Sequence, residues 1–350
     1  MRMLCLTLAL LIARPLAAEV ILFDAKGAAQ ELVIYSTLDA RLATPLIEGF
    51  QALNPGVAVR YEDLLAGEIA ARVRRETDAG QPTADFLFSS AMDVQVKLAN
   101  DGYARAATVE ASAGWPRWAN WRDTAYAVTF EPAVLVYHKP SFPDGPPDTR
   151  LDLIRWLKDA PEGRGNIGTY DIDRSAVGYL FLARDREYFA DIWSLVRAMA
   201  GAGVQTFPTS QDIIDRVADG RLRLGYNILG SYAAEQVQQN PDLGLVLLRD
   251  YTVVVSRVAL VPRAAGNPDL GTRFLGYMLG RAGQEVLANR MGLPAISVEV
   301  ADTSSAHAMQ ARLGDQLRPV AVSPGLLVYL DQAKRRLFLQ NWARALSGGG

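Results

Sequence analysis

Cysteine is almost absent from the chain, since Cys5 is the only one. It lies in the leading segment "MRMLCLTLALLIARPLAA", in which Arg2 precedes an apolar run from Met3 to Ala13, and the segment ends on the small residues Ala17 and Ala18. This pattern predicts a secretory signal peptide over residues 1–18 and a periplasmic protein. A chain exported without this cysteine forms no disulfide, so its stability must come from a hydrophobic core.

Long apolar runs and an excess of one charge are also missing. The apolar run of the leading segment is shorter than the roughly 20 residues that a membrane-spanning helix needs, and no later segment approaches that length. The 36 Lys and Arg residues against 38 Asp and Glu leave a formal net charge of −2, with no basic tract. This balance argues against nucleic acid or a membrane surface as the main partner.

Histidine is scarce, and common catalytic motifs are missing. The chain has only His138 and His307, and it contains no G-x-S-x-G, H-E-x-x-H or Walker sequence. We therefore expect a protein that is not an enzyme and has no cofactor and no bound metal. A Ser-His-Asp hydrolase stays open as a lesser alternative, because sequence spacing does not show which serine lies near a histidine.

The chain does have a regular alternation of strand-like and helix-like segments. The segments "ELVIYS", "VAVRYEDL" and "ADFLFSS" have the character of strands, and each is followed by a segment with helical spacing. Such repeats predict a parallel sheet with helices on both faces. The alternation resumes later, and two long β-rich runs, residues 125–137 and 251–262, interrupt it. The sequence therefore predicts an α/β fold of two lobes joined by two β crossovers.

The same pattern predicts the boundaries of the lobes. The first lobe is expected to span residues 31–130 plus 258–350, with the C-terminal helices returning to it, and the second lobe residues 131–257. A length of 350 residues suits two domains of ordinary size.

Four strand-to-helix junctions are rich in polar side chains: residues 35–39, 88–93, 169–178 and 225–232. In an open α/β sheet, ligands bind beyond the carboxyl ends of the strands, where helices begin. The first turn of a helix offers unpaired N–H groups and a partial positive charge, so hydroxyls placed there favour carboxylate or phosphate. A single such serine is explained by helix capping alone. Two junctions in each lobe predict a shared anion site.

Tyrosine raises a metal alternative. Tyr126, Tyr226, Tyr232 and Tyr251 all fall near proposed cleft positions, and ferric iron favours hard oxygen ligands such as tyrosinate. A phenol ionises only near pH 10 unless a metal displaces its proton, so we favour these rings as cleft walls and leave iron as the alternative. The tryptophans at positions 115, 118 and 121 are predicted to anchor a loop rather than to stack on a sugar.

Several segments resemble the periplasmic solute-binding proteins of ABC transporters, which have the type II fold. They are, in order, "ELVIYSTLD", "IEGFQALNPGVAVRYEDL", "ADFLFSSAMDVQVKLANDGYA", "YAVTFEPAVLVYHK", "LGYNILGSYA" and "FLGYMLGRAGQEVLAN". The sequence looks like the branch related to ferric-ion-binding proteins, and within it is most similar to phosphoglycerate transport regulatory proteins. The resemblance covers nearly all of the chain after the signal peptide, and it implies two hinged lobes with a ligand between them.

The resemblance also implies which residues contact the ligand. The expected set is Ser36, Thr37, Ser89 and Ser90 in the first lobe, Tyr126 and Thr129 near the hinge, and Thr169, Tyr170, Ser175, Ala176, Tyr226 and Asn227 in the second lobe. Arg122, Arg174 and Arg257 are further candidates for an anion contact, but the sequence does not show which of them faces the cleft.

One departure from the branch bears on the ligand. The ferric-binding relatives have two adjacent tyrosines where this chain has Tyr226 and Asn227, which disfavours iron. The expected function is therefore capture of a small anionic solute, a phosphorylated or carboxylated metabolite, by a monomer. The expected protein partner is an inner-membrane ABC permease or a membrane sensor kinase.

Overall fold

The computed structural model describes residues 19–109, 115–159, 167–297, 299–300 and 306–348. The predicted signal peptide, with Cys5, lies outside these ranges. Among the described residues, no helix is both long enough and apolar enough to cross a membrane.

The chain alternates between strands and helices along most of its length. The strands are β1 (Glu19–Phe23), β2 (Gln30–Ser36), β3 (Val57–Asp63), β4 (Phe86–Ser89), β5 (Asn120–Trp121), β6 (Ala125–Ala127), β7 (Glu131–His138), β8 (Ile167–Tyr170), β9 (Gln205–Phe207), β10 (Leu224–Leu229), β11 (Leu243–Val246), β12 (Thr252–Val255), β13 (Val258–Leu260) and β14 (Leu317–Pro319). The helices are α1 (Ala40–Leu53), α2 (Ala66–Asp78), α3 (Met92–Asn100), α4 (Arg150–Asp159), α5 (Ala176–Tyr188), α6 (Ile192–Gly201), α7 (Ser210–Ala218), α8 (Gly230–Gln239), α9 (Pro268–Leu279), α10 (Arg281–Met291), α11 (Ala306–Leu313) and α12 (Gln332–Leu346). Short 3₁₀ helices cover Arg117–Ala119, Lys139–Ser141, Gly314–Gln316 and Pro324–Leu330.

The first lobe is built on a sheet with the strand order β1-β3-β2-β4-β13-β6-β5. Strands β3, β2 and β4 are parallel, as the three strand-helix repeats predict. Their buried residues are apolar apart from Ser36, Glu62 and Ser89, because a parallel sheet is covered by helices on both sides. The edge strand β1 was not anticipated from the sequence, and it pairs antiparallel with β3.

The second lobe is built on a sheet with the order β14-β12-β7-β10-β8-β9, and β11 also pairs with β7. Strands β8, β9 and β10 are parallel, so the loops after β8 and β10 leave the same edge of this sheet. Helices α5, α7 and α8 follow these three strands.

Two chain crossings connect the lobes, which confirms the predicted architecture. The chain passes from β6 in the first sheet to β7 in the second, and it returns from β12 to β13. Hydrogen bonds tie the two crossings together: the Val128 amide donates to the Arg257 carbonyl at 3.0 Å, and the Arg257 amide donates to Thr129 Oγ1 at 2.8 Å. The hinge is therefore a pair of hydrogen-bonded chain segments, one between β6 and β7 and the other between β12 and β13.

The C-terminal part of the chain differs from the predicted boundary. Helices α9 and α10 return to the first lobe, where α10 packs against α1. Strand β14, however, pairs in parallel with β12, and α12 packs against α6 in the second lobe. The reason is apolar burial, since Trp342 and Ala345 of α12 belong to the core of the second lobe.

Candidate functional site

A cavity of about 570 Å³ lies between the two lobes, and we call it the cleft. Its first-lobe side is formed by Thr37, Asp39, Arg41, residues 63–68, Ser90 and Ala91. Its second-lobe side is formed by Tyr170, residues 174–177, residues 208–211, Leu229 and Tyr232. The volume suits a small metabolite, and both lobes contribute similar shares of the lining.

Six helices begin at the wall of the cleft. The residues that precede their first turns are Asp39 for α1, Leu65 for α2, Ala91 for α3, Ser175 for α5, Thr209 for α7 and Leu229 for α8, and all six line the cavity. The first N–H groups of each helix, and the positive end of its dipole, are therefore at the cavity wall. The convergence of three such ends from each lobe makes the cleft favourable for an anion.

The first-lobe floor is a small hydroxyl network. The Thr37 hydroxyl donates to Ser89 Oγ at 3.2 Å, and the Ser90 amide donates to Thr37 Oγ1 at 3.2 Å. Ser89 is buried and accepts from the Ala91 amide, and Ser36 is buried and accepts from the Leu38 amide. Ser36 and Ser89 therefore shape the backbone, whereas Thr37 and Ser90 face the cavity.

The second-lobe wall contains three residues of the predicted set. Tyr170, Ser175 and Ala176 all line the cavity. The Ser175 hydroxyl caps α5 by accepting from the Gly178 amide at 3.3 Å, and the Tyr170 hydroxyl is hydrogen bonded to Ser210 Oγ. The exposed Arg174 lies beside them and adds a positive charge to this wall.

The sequence reasoning missed the start of α7, which also lines the cavity. Thr209 caps this helix by accepting from the Asp212 amide at 3.1 Å. The pattern Thr209-Ser210-Gln211-Asp212, a hydroxyl followed three residues later by an acid, is a helix-start signal that could have located it.

Three predicted residues lie away from the cavity because they bond within the protein. The Tyr126 hydroxyl donates to Asp123 Oδ1 at 3.0 Å and to the Ala107 carbonyl at 3.1 Å, in the first-lobe core. Thr129 donates to Glu131 Oε1 at 2.7 Å, and Thr169 donates to the Tyr226 carbonyl at 3.1 Å.

Tyr226 and Asn227 also lie away from the cavity, in a buried ionic cluster inside the second lobe. Its centre is Asp185, which accepts from Tyr226 Oη at 2.6 Å, Asn227 Nδ2 at 2.6 Å, Tyr251 Oη at 2.8 Å and Arg150 Nη2 at 2.9 Å. Burial raises the pKa of the Tyr226 phenol well above its usual value, so it stays protonated. The hydroxyls of Tyr226 and Tyr251 thus both donate hydrogen bonds to Asp185.

A second buried arginine, Arg257, lies at the hinge. Its side chain is 0% exposed, and its Nε lies 3.1 Å from Glu131 Oε1. The Glu131 carboxylate also accepts from Thr129 and Ser231. Neither terminal nitrogen of Arg257 makes a well-formed hydrogen bond to any described atom. The guanidinium lies 5.8 Å from the ring centre of Tyr232, which lines the cleft.

The remaining tryptophan and histidine candidates lie outside the cleft lining. Trp115, Trp118 and Trp121 pack against the core, as expected of loop anchors. His138 Nδ1 lies 2.9 Å from Ser141 Oγ, and His307 is exposed on α11. No group of three or more His, Cys, Asp or Glu side chains within the described residues is arranged to hold a metal ion.

A smaller cavity of about 460 Å³ lies on the first lobe alone. Its charged lining includes Arg72, whose Nε is 2.8 Å from Glu76 Oε1, and Asp85, which accepts from two backbone amides. Because these charges already have partners, the cleft between the lobes is the better candidate site.

Comparisons with known proteins show the family of this chain. A family model described as bacterial extracellular solute-binding protein matches residues 32–292. A crystal structure of the substrate-binding protein of an ABC transporter from Agrobacterium tumefaciens is 57% identical, with a TM-score of 0.90, and the match covers 95% of this chain and 100% of that one. A comparison with curated proteins finds no match.

More distant structures share the fold. Iron-bound HitA from Pseudomonas aeruginosa is 16% identical with a TM-score of 0.70, covering 90% of this chain and 99% of that one. The periplasmic binding protein AfuA from Actinobacillus pleuropneumoniae, with fructose 6-phosphate bound, is 15% identical with a TM-score of 0.70, covering 91% of this chain and 99% of that one. One fold therefore holds either a metal ion or a phosphorylated sugar in these relatives.

Proposed function

Since the chain belongs to the family of bacterial extracellular solute-binding proteins and has their type II fold, we propose that its cleft captures a small anionic solute. The solute class is a phosphorylated or carboxylated metabolite. The observation that carries this proposal is the convergence of six helix N-termini on one cavity, three from each lobe.

Binding would couple to closure of the lobes. Thr37 and Ser90 offer hydroxyls from the first lobe, and Ser175, Thr209 and Arg174 offer polar groups from the second. An anion that contacts both sides stabilises the arrangement in which the lobes are closest, because those contacts are lost when the hinge opens.

The chain is a solute-binding protein of the ABC transporter class, so a membrane permease is its implied partner. We propose that export by the predicted signal peptide places it in the periplasm, where it works by binding without turnover. Reporting occupancy to a membrane sensor kinase is a second possible output, since both partners would recognise the closed lobes. Copurification with an inner-membrane permease from cells that express the full chain tests this assignment. The copurification should be lost after deletion of residues 1–18.

A thermal-shift screen tests the anion proposal. The panel consists of inorganic phosphate, 3-phosphoglycerate, fructose 6-phosphate and citrate, and a ligand that binds only the folded protein raises Tm. The shift given by a hit should decrease in both the Thr37→Ala/Ser90→Ala and the Ser175→Ala variants. Thr77→Ala, on the far part of α2, is the matched control. Loss in one lobe only would contradict a shared site.

Ferric iron is the rival ligand, and two observations weigh against it. The hydroxyls of Tyr226 and Tyr251 donate to Asp185 in the second-lobe interior. Of the four tyrosines considered as iron ligands, only Tyr232 lines the cleft. Ferric loading followed by metal analysis and a visible spectrum decides between the two ligands. A tyrosinate-to-iron absorption band would support iron as the ligand, whereas a colourless, iron-free protein would exclude it.

A further inference from the structure

The terminal nitrogens of Arg257 are the feature that the proposed function leaves unexplained. Arg257 lies between β12 and β13, and the next residue, Val258, pairs with Ser89 at the end of β4. The arginine therefore sits where the crossing passes the floor of the cleft. Its guanidinium is flanked by the rings of Phe88, at 5.9 Å, and Tyr232, at 5.8 Å.

Burial of such a group is unfavourable unless its donors are satisfied. A guanidinium has five N–H donors. Glu131 Oε1 lies 3.1 Å from Nε as an ion pair, and none of the three nitrogens makes a well-formed hydrogen bond within the described chain. The free donors form one fork, the geometry that matches the two oxygens of a carboxylate or phosphate.

Tyr232 both lines the cleft and neighbours this fork, since its ring centre lies 5.8 Å from the guanidinium. It is the third residue of α8, it lines the cavity, and its hydroxyl is near enough to the guanidinium to raise the pKa of Arg257. Tyr232 is only partly buried, and it borders the cavity.

We propose that Arg257 is the charged contact for the anionic group of the solute and that Tyr232 covers it in the unliganded protein. This inference rests on the proposed anion cleft and adds the residue that selects a two-oxygen anion. The anion supplies the partners that Nη1 and Nη2 lack, and Glu131 holds the arginine in position from the other side.

Calorimetric titration of the four-anion panel tests the contact. Arg257→Gln should weaken every anion that the wild type binds by about tenfold or more, because it removes one partner of a buried charged contact. Arg257→Lys should give a smaller loss, since an ammonium keeps the charge but not the fork. Arg150→Lys is the matched control, an equally buried arginine whose three side-chain nitrogens are all hydrogen bonded, and the affinity of this variant should stay within about twofold.

The outcomes separate the two proposals. If the wild type binds none of the four anions, the anion cleft itself is overturned, and this contact with it. If the wild type binds and a folded Arg257→Gln variant binds equally well, only the role of Arg257 is overturned. Circular dichroism and thermal melting establish that each variant is folded.

A chemical readout covers the case in which the Arg257 variants do not fold. The native protein is treated with 2,3-butanedione, which modifies accessible arginines, and the modified sites are mapped by peptide mass spectrometry. Tyr232→Ala should increase the modification of Arg257 and leave Arg150 unmodified. An Arg257 that stays as unreactive as Arg150 in Tyr232→Ala would overturn the proposed cover.

Discussion

Two buried arginines, Arg150 and Arg257, show how differently the second lobe and the hinge are built. Both side chains are at most 1% exposed. Arg150 bonds to Asp185 at 2.9 Å, Asp250 at 3.0 Å, the Tyr251 carbonyl at 2.9 Å and the Tyr226 hydroxyl at 3.0 Å. Arg257 has one carboxylate beside it, that of Glu131, whose Oε1 lies 3.1 Å from Nε.

The difference separates a structural cluster from a binding element. A buried charge with all its donors satisfied fixes the packing around it, because any movement would leave charges unpaired. A buried charge with free donors retains capacity for another partner. The interior of the second lobe is thus expected to move as one body, whereas the polar groups at the hinge are available to a ligand.

The largest expected effect comes from breaking the satisfied cluster. Asp185→Ala leaves Arg150 buried without its main counter-charge and should lower the free energy of unfolding by about 3–5 kcal/mol. Urea unfolding of the purified variants measures this loss. Asp219→Ala, which removes an exposed partner of Arg221, is the control and should change little. A small loss in Asp185→Ala would mean that the cluster does not fix the lobe.

Asp93 on α3 extends the comparison to a buried acid. It is 1% exposed, and burial raises its pKa to about 6 even though the Val94 amide donates to it. The folded protein holds this proton more tightly than the unfolded chain does, so stability falls as pH rises from about 4 to about 6. Above that window, the charged form costs about 2–3 kcal/mol.

Asp93→Asn removes this titration. The variant should match the wild type near pH 4 and exceed its stability by most of that amount at pH 7, as measured by urea unfolding at both pH values. Asp101→Asn, on the exposed end of the same helix, is the control. Equal stability of wild type and Asp93→Asn at pH 7 would show that a partner for the charged carboxylate exists.

A smaller effect is expected at the second-lobe wall of the cleft. A Cβ at Gly178 would lie 2.3 Å from the Cβ of Tyr170, so the start of α5 can approach β8 only because this residue is a glycine. Gly178→Ala should cost about 1–3 kcal/mol of stability through overpacking. It should also weaken anion binding, since Ser175 and the first turn of α5 are displaced.

The matched control is Gly201→Ala, at the end of α6, where a Cβ meets nothing within 4 Å. Chemical unfolding measures the stability of both variants, and calorimetric titration measures their affinity for the anion. Normal affinity in a destabilised Gly178→Ala protein would separate the α5 terminus from ligand binding.

The smallest effect is expected at the rim, where an exposed ion pair joins the lobes. Arg41 Nη1 on α1 lies 3.0 Å from Glu235 Oε1 on α8, and the Arg41 side chain is 67% exposed. Solvent and salt screen such a pair, so Glu235→Gln should change the free energy of unfolding by less than about 1 kcal/mol. Its effect on affinity should vanish at high salt, and a salt-independent change would indicate direct contact with the solute.

The sequence predicts local features of this molecule well. The three strand-helix repeats, the two crossings and the positions of Thr37, Ser90 and Ser175 in strand-to-helix junctions all follow from short-range patterns of apolar and polar residues. The C-terminal strand β14 was not predicted because it is three residues long and pairs with a strand more than sixty positions earlier.

The orientation of the Tyr226 and Asn227 side chains could not be predicted for a similar reason. Both lie on β10, close to the strand end, where the sequence favours a cleft position. Their partner Asp185 lies 41 and 42 positions away, and Arg150 lies 76 positions from Tyr226. A buried charge in the lobe interior decides which way these side chains face, and no local pattern reveals it.

The charge dependence of binding tests the central claim most directly. Each anion found by the screen is titrated into the wild type beside its uncharged counterpart, such as fructose 6-phosphate beside fructose. A cleft formed by six helix N-termini should bind the charged member about a hundredfold more tightly or better. Equal affinity for the charged and uncharged members would contradict the anion cleft.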